Sequence, residues 1–139
     1  MSEVVTFTTE QMEQLAGSEF VIKFVRGLIL LALSERASDI HIEPGERGVR
    51  IRFRIDGELE DRFRLESAVL GPVVSRLKIL ADVDIAECRL PQDGRIGLEL
   101  RENVLDLRFS SMPSIYGEKV VLRLLGQSQW RAIPDMDQL

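Results

Sequence analysis

Residues that most often carry chemistry are scarce in this sequence. A single cysteine, Cys88, excludes a disulfide framework within one chain and fits a reducing compartment. One histidine, His41, and one cysteine cannot build an ordinary structural zinc site. No G-x-x-x-x-G-K-S/T occurs, so a phosphate-cradling P-loop is absent, and neither G-x-G-x-x-G nor G-x-S-x-G is present. The start, MSEVVTFTTE, lacks the basic and apolar regions of a signal peptide. The most apolar run, Phe20 to Leu33, is interrupted by Lys23 and Arg26 and is too short to span a bilayer. Acidic residues number 23 against 18 basic, a net charge of −5, so no global basic footprint for nucleic acid exists. These absences lead us to expect a cytoplasmic chain that neither binds nucleic acid nor inserts into a membrane.

What is present fits one domain: 139 residues, 45% apolar and 29% charged. Residues 1–17 read as a polar extension in which Thr9 to Gln14 has the makings of one helical turn. Ser18 is a suitable N-cap for a helix running to Arg36. Apolar residues cover most of that helix's circumference, which suits a deeply packed helix or one that also meets another domain or subunit. Ile40 and Ile42 alternate with polar residues up to Pro44-Gly45. Val49, Ile51, Phe53 and Ile55 then alternate with Arg50, Arg52 and Arg54, the clearest period-two strand in the chain. Asp56-Gly57 is a two-residue hairpin signal, with Leu59 to Arg64 as the return strand.

Helical spacing resumes over residues 66–81, where Val69, Val73, Leu77 and Leu80 share a face, and Pro72 places the first firm turn near itself. Residues 82–95 have turn chemistry and read as a loop. Three strands follow, Ile96–Arg101, Val104–Phe109 and Lys119–Leu125, with Pro113 and Gly117 punctuating the gap before the last. Residues 127–139 look like a linker. Helix, hairpin, helix and then strands predict an α+β domain over residues 18–126, an antiparallel sheet with helices on one face.

Arginine heavily outnumbers lysine and recurs at the strands. Its guanidinium is always charged and forks around phosphate or carboxylate oxygens. Arg50, Arg52 and Arg54 share a strand face, where the simplest reading pairs them with acids on neighbouring strands. Arg89 and Arg95 differ, because they flank Leu90-Pro91-Gln92-Asp93-Gly94. Pro91 fixes one φ angle and Gly94 permits a sharp reversal. A stiff loop presenting two arginines suits phosphate binding or an arginine-finger role. The alternative is that these arginines only make salt bridges. His41 on a strand is ordinarily a satisfied or solvated side chain, and nothing around Cys88 makes it a nucleophile.

Seven segments occur in a fixed order: Ala37-Ser-Asp-Ile-His-Ile-Glu-Pro44, Arg52-Phe-Arg-Ile-Asp-Gly57, Ser75-Arg-Leu-Lys-Ile-Leu-Ala81, Asp84-Ile-Ala-Glu87, Arg89-Leu-Pro-Gln-Asp-Gly-Arg95, Asp106-Leu-Arg108 and Gly117-Glu-Lys-Val-Val-Leu-Arg-Leu-Leu125. Together they resemble the N-terminal half of the secretion ATPase superfamily, in its type II secretion and pilus-assembly branch, over roughly residues 20–125.

The resemblance implies a PAS-like domain, tethered in the family to a RecA-like domain that carries the Walker motifs. It implies a ring of six with nucleotide between the two domains, and arginines of the first domain reaching the phosphates. The matching positions are Arg89, Arg95 and Arg108. ATP, as Mg-ATP, is then a ligand only together with the RecA-like domain, and the inner-membrane secretion or pilus platform is an indirect partner. Asp106 beside Arg108 leaves a purely structural pairing open for that arginine. The chain ends where the family enters its RecA-like domain, so a fragment of a larger ATPase is expected rather than a free-standing relative, and this chain alone is not expected to be an enzyme. A free-standing PAS-like sensor of a small ligand, or an interaction scaffold, is the alternative.

Overall fold

The computed structural model describes residues 18–100 and 103–125. The extension 1–17, the turn expected at Thr9–Gln14, Arg101 and the linker 127–139 lie outside the described residues. The first helix, α1, spans Glu19–Ser34, and Ser18 caps it by accepting from the Val21 N–H at 3.3 Å. Three strands follow as a meander: β1 (Asp39–Gly45), β2 (Gly48–Ile55) and β3 (Glu58–Leu65). A 3-10 turn at Ser67–Val69 leads into α2 (Leu70–Ala81), so the firm helix starts just ahead of Pro72, as expected. A second meander closes the chain: β4 (Gln92–Leu100), β5 (Asn103–Ser114) and β6 (Gly117–Leu124).

All six strands form one antiparallel sheet in the order β3-β2-β1-β6-β5-β4. The two meanders meet along a single seam, where Asp39, Ile40, His41 and Ile42 of β1 oppose Arg123, Leu122, Val121 and Val120 of β6. The Asp56-Gly57 turn is a tight hairpin with φ of 53° and 83°, the left-handed values that two-residue connections demand. Strand alternation then sorts the side chains. Ile40, Ile42, Val49, Ile51, Phe53, Ile96, Leu98, Leu107, Phe109, Val120 and Leu122 are buried in one cluster with Val21, Val25, Ile29, Val73 and Leu77 of the two helices. The helices thus cover one face of the sheet, which is the expected α+β, PAS-like layering, and among the described residues no helix lies on the other face, the bare face.

α1 buries Val21, Val25, Leu28, Ile29 and Ala32 yet leaves Phe20 and Leu30 exposed. Its apolar character therefore exceeds what this domain uses. The loop expected over residues 82–95 is corrected at its end. Gln92 to Arg95 belong to β4, paired with β5 from Gln92↔Ser111 to Arg95↔Arg108. Gly94 makes no reversal. It stands where β4 passes the end of α2, and a Cβ there would lie 2.8 Å from the Ala81 carbonyl oxygen. Close backbone approach, not turn geometry, is what requires glycine.

Candidate functional site

The bare face of the sheet is where the strand arginines gather. Register sets Arg95, Arg108, Arg123, Asp39 and Arg54 side by side in one row across β4, β5, β6, β1 and β2. Four guanidinium groups and a single acid thus lie along one line perpendicular to the strands. Asp39 is 2% exposed and is gripped from both sides. Its Oδ1 accepts from Arg123 Nε at 2.9 Å and its Oδ2 from Arg54 Nε at 3.2 Å. Arg54 also donates through Nη1 to the Gly57 carbonyl at 3.0 Å. An open groove of about 690 Å³ runs over the row from Arg108 to Arg54 but not over Arg95, lined by Arg54, Arg108, Arg123, His41, Asp93 and Ser110 among others.

Arg108 makes no hydrogen bond or ion pair among the described residues, although it lines this groove. The pairing left open for it goes elsewhere. Asp106 is bound by Arg95 of the adjacent strand, Nη2 to Oδ2 at 3.3 Å, with both side chains well exposed. An exposed pair of this kind contributes little and yields easily to a stronger partner. Arg89 sits outside the row, on the loop 82–91. That loop is stitched down: Glu87 Oε2 accepts from the N–H groups of Arg89 and Leu90, and Gln92 exchanges hydrogen bonds with the Asp84 backbone. Buried Lys78 reaches up from α2 to the Glu87 carbonyl and pairs with Glu118 at 2.9 Å. The Arg89 guanidinium itself has no partner among the described residues.

The neighbouring cations behave as the simplest reading expects. Arg52 forks onto Glu43 with two hydrogen bonds of 3.1 Å, and Arg50 lies 3.8 Å from Asp61. His41 Nδ1 is buried without a hydrogen bond, 3.6 Å from Glu43 Oε2. Burial, the largest influence, lowers the His41 pKa against the pull of Glu43. Burial pushes the Glu43 carboxyl up, but the Arg52 hydrogen bond and charge, with Lys119, leave it below its ordinary value. Sequence reasoning placed Arg123 and Asp39 inside matching segments without giving either a role in a site. Only the register reveals them, because residues 39, 54 and 123 share nothing along the chain.

Chemically, the row suits a polyanion, because three arginines line a groove where only one acid is buried. It does not suit a metal, and among the described residues no group of three or more His, Cys, Asp or Glu could hold one. No described helix is long and apolar enough to cross a membrane.

The chain has relatives among known proteins. The chain is 45% identical over 108 residues to a type II secretion system protein E of Klebsiella pneumoniae, covering 78% of this chain and 22% of that protein. It is 44% identical over 124 residues to the type IV pilus assembly ATPase PilB of Myxococcus xanthus, covering 88% and 22%. The X-ray structure of the Legionella pneumophila ATPase DotB aligns at a TM-score of 0.49 and 18% identity, over 91% of this chain and 31% of that one. The chain thus spans about a fifth of the length of the curated relatives it matches. A family model described as type II/IV secretion system protein matches residues 14–139, and the chain belongs to that family.

Proposed function

We propose that this chain is the non-catalytic N-terminal module of a hexameric secretion or pilus-assembly ATPase. Its bare face supplies arginines to the phosphates of ATP held by a RecA-like domain of the same or a neighbouring subunit. ATP turnover then changes how the two domains meet, and that motion drives protein secretion or pilus extension at the inner membrane. The observation that carries this reading is the row Arg95, Arg108, Arg123, Asp39, Arg54, in which Arg108 has no partner among the described residues. A cation that lines a groove and forms no ion pair among the described residues is poised for an anion from outside. Within the row, Arg108 and Arg123 are the best placed, and Arg95 can join them by releasing Asp106. Arg89, on its stitched loop, reaches a phosphate only from the rim.

The module needs the other domain for the rest. P-loop and Mg²⁺ belong to the RecA-like partner, and this chain's share is to neutralise charge that develops on the transferred phosphoryl group. Exposed Phe20 and Leu30 on α1, and Ile115 and Tyr116 at the β5–β6 turn, offer apolar surface for that partner. Reconstitution of the full-length ATPase with Arg108→Ala should lower ATP turnover at least about tenfold. Arg89→Ala and Arg95→Ala should each lower it less. Wild-type turnover in all three variants would remove the phosphate role.

A further inference from the structure

Asp39, Lys78 and Ser111 are the polar or charged residues buried among the described ones. Lys78 is accounted for by Glu118 and the loop it holds. Asp39 is not accounted for by the phosphate role, because an acid at the centre of an anion site weakens it by repulsion. A buried carboxylate is also costly unless it is fully paired. Its geometry shows what is gained. Both arginines meet it through Nε, at 2.9 and 3.2 Å. A guanidinium held at Nε has its plane fixed while its two Nη groups stay free to fork around another anion. Arg54 spends one of those groups on the Gly57 carbonyl. Among the described residues Arg123 spends neither and Arg108, which register sets directly beside it, has no partner.

We infer that Asp39 is a positioning residue that fixes the Arg123 guanidinium so that its terminal nitrogens meet an oxyanion in the groove in one orientation. The inference rests on the phosphate role proposed above. Arg123 is an exposed arginine, its side chain 62% accessible, and its free form would sample many rotamers. A buried acid at its root removes that freedom before the anion arrives, which is preorganisation.

The test is steady-state ATP turnover by the full-length ATPase carrying this module, with thermal melting of every variant beside it. Arg123→Gln should lower kcat at least about tenfold. Asp39→Asn should lower kcat by about tenfold or more, with KM for ATP nearly unchanged, because misplacing a charge-stabilising group acts on the transition state. The double variant should be no slower than Arg123→Gln alone. If Asp39→Asn slows the Arg123→Gln enzyme as much as the wild type, Asp39 acts through the fold and the inference is overturned. A normal kcat for Asp39→Asn beside a low one for Arg123→Gln overturns it too, while sparing the phosphate role. A normal kcat for Arg123→Gln ends the role of Arg123 itself. If Asp39→Asn fails to fold, Asp39→Glu decides the matter, since glutamate keeps the buried charge but moves the oxygen that holds the Arg123 Nε–H. A kcat as low as that of Arg123→Gln supports positioning, and a wild-type kcat overturns it.

Discussion

Every strand of this sheet serves two faces, and the two obey different rules. On the helix-covered face Phe53, Phe109 and Leu122 are fully buried, and their neighbours are fixed by shape. On the bare face their immediate neighbours Arg54, Arg108 and Arg123 are placed by charge, each with a different share of internal pairing. The covered face makes the fold, whereas among the described residues no helix packs on the bare face. Substitution at adjacent positions is the sharpest way to break that contrast. Phe109→Ala should cost about 3–5 kcal/mol in unfolding free energy, read by chemical denaturation. Arg108→Ala, one residue earlier, should stay within about 0.5 kcal/mol. A large loss for Arg108→Ala would make the bare face structural.

Lys78 is the exception on the covered side: 1% exposed and bound to Glu118 and the Glu87 carbonyl. Lys78→Ala leaves the largely buried Glu118 without this cation and should cost about 3 kcal/mol. The same variant should expose the 82–91 loop to limited proteolysis. An unchanged cleavage pattern would show that the loop does not depend on this anchor.

Much of the covered face was legible in the sequence. Ser18 announced α1, the 49–55 alternation announced β2, and Asp56-Gly57 announced the hairpin. The start of β4 was not legible, because Gln92, Asp93 and Gly94 carry no apolar alternation and are strand only through pairing with β5. The bare face was half legible. Arg95 and Arg108 stood out through motif resemblance, but Arg123 and Asp39 acquire meaning only when β1 lies beside β6, and no local pattern specifies that neighbour. Asp106 lies two residues from Arg108 in sequence, yet the twist and register of the sheet give it to Arg95.

Two glycines of β4 repeat the contrast on a smaller scale. Gly94→Ala would drive a Cβ to within 2.8 Å of the Ala81 carbonyl and should cost about 1–3 kcal/mol. At Gly97, nothing lies within 4 Å of such a Cβ, so Gly97→Ala should be neutral or stabilising by about 0.4–1 kcal/mol. Equal melting shifts for the two would contradict the close approach at Gly94.

The smallest expected effect is a pH dependence of stability from the bare face. The folded-state pKa of His41 lies below its ordinary 6.5, so the unfolded chain binds the proton more readily. Stability should therefore fall as pH drops below about 6.5 and stop falling below the lowered value. Glu43 is also lowered, from 4.5, so the stability it contributes is present above about pH 4.5 and lost as pH falls through the folded value. His41→Gln should flatten the upper part of this acid limb and Glu43→Gln the lower part, as seen in melting temperature against pH.

The seam between β1 and β6 also shapes how the chain reaches its native state. Each meander assembles from strands that are near neighbours along the backbone, whereas the ion pair from Asp39 to Arg123 closes a separation of 84 residues. Closing so long a loop carries an entropic penalty that local hairpins do not face. The two halves should therefore organise early and dock late. If so, Leu122→Ala will slow refolding of the whole domain, while changes in the Asp56-Gly57 turn will alter only how soon the first half is ready.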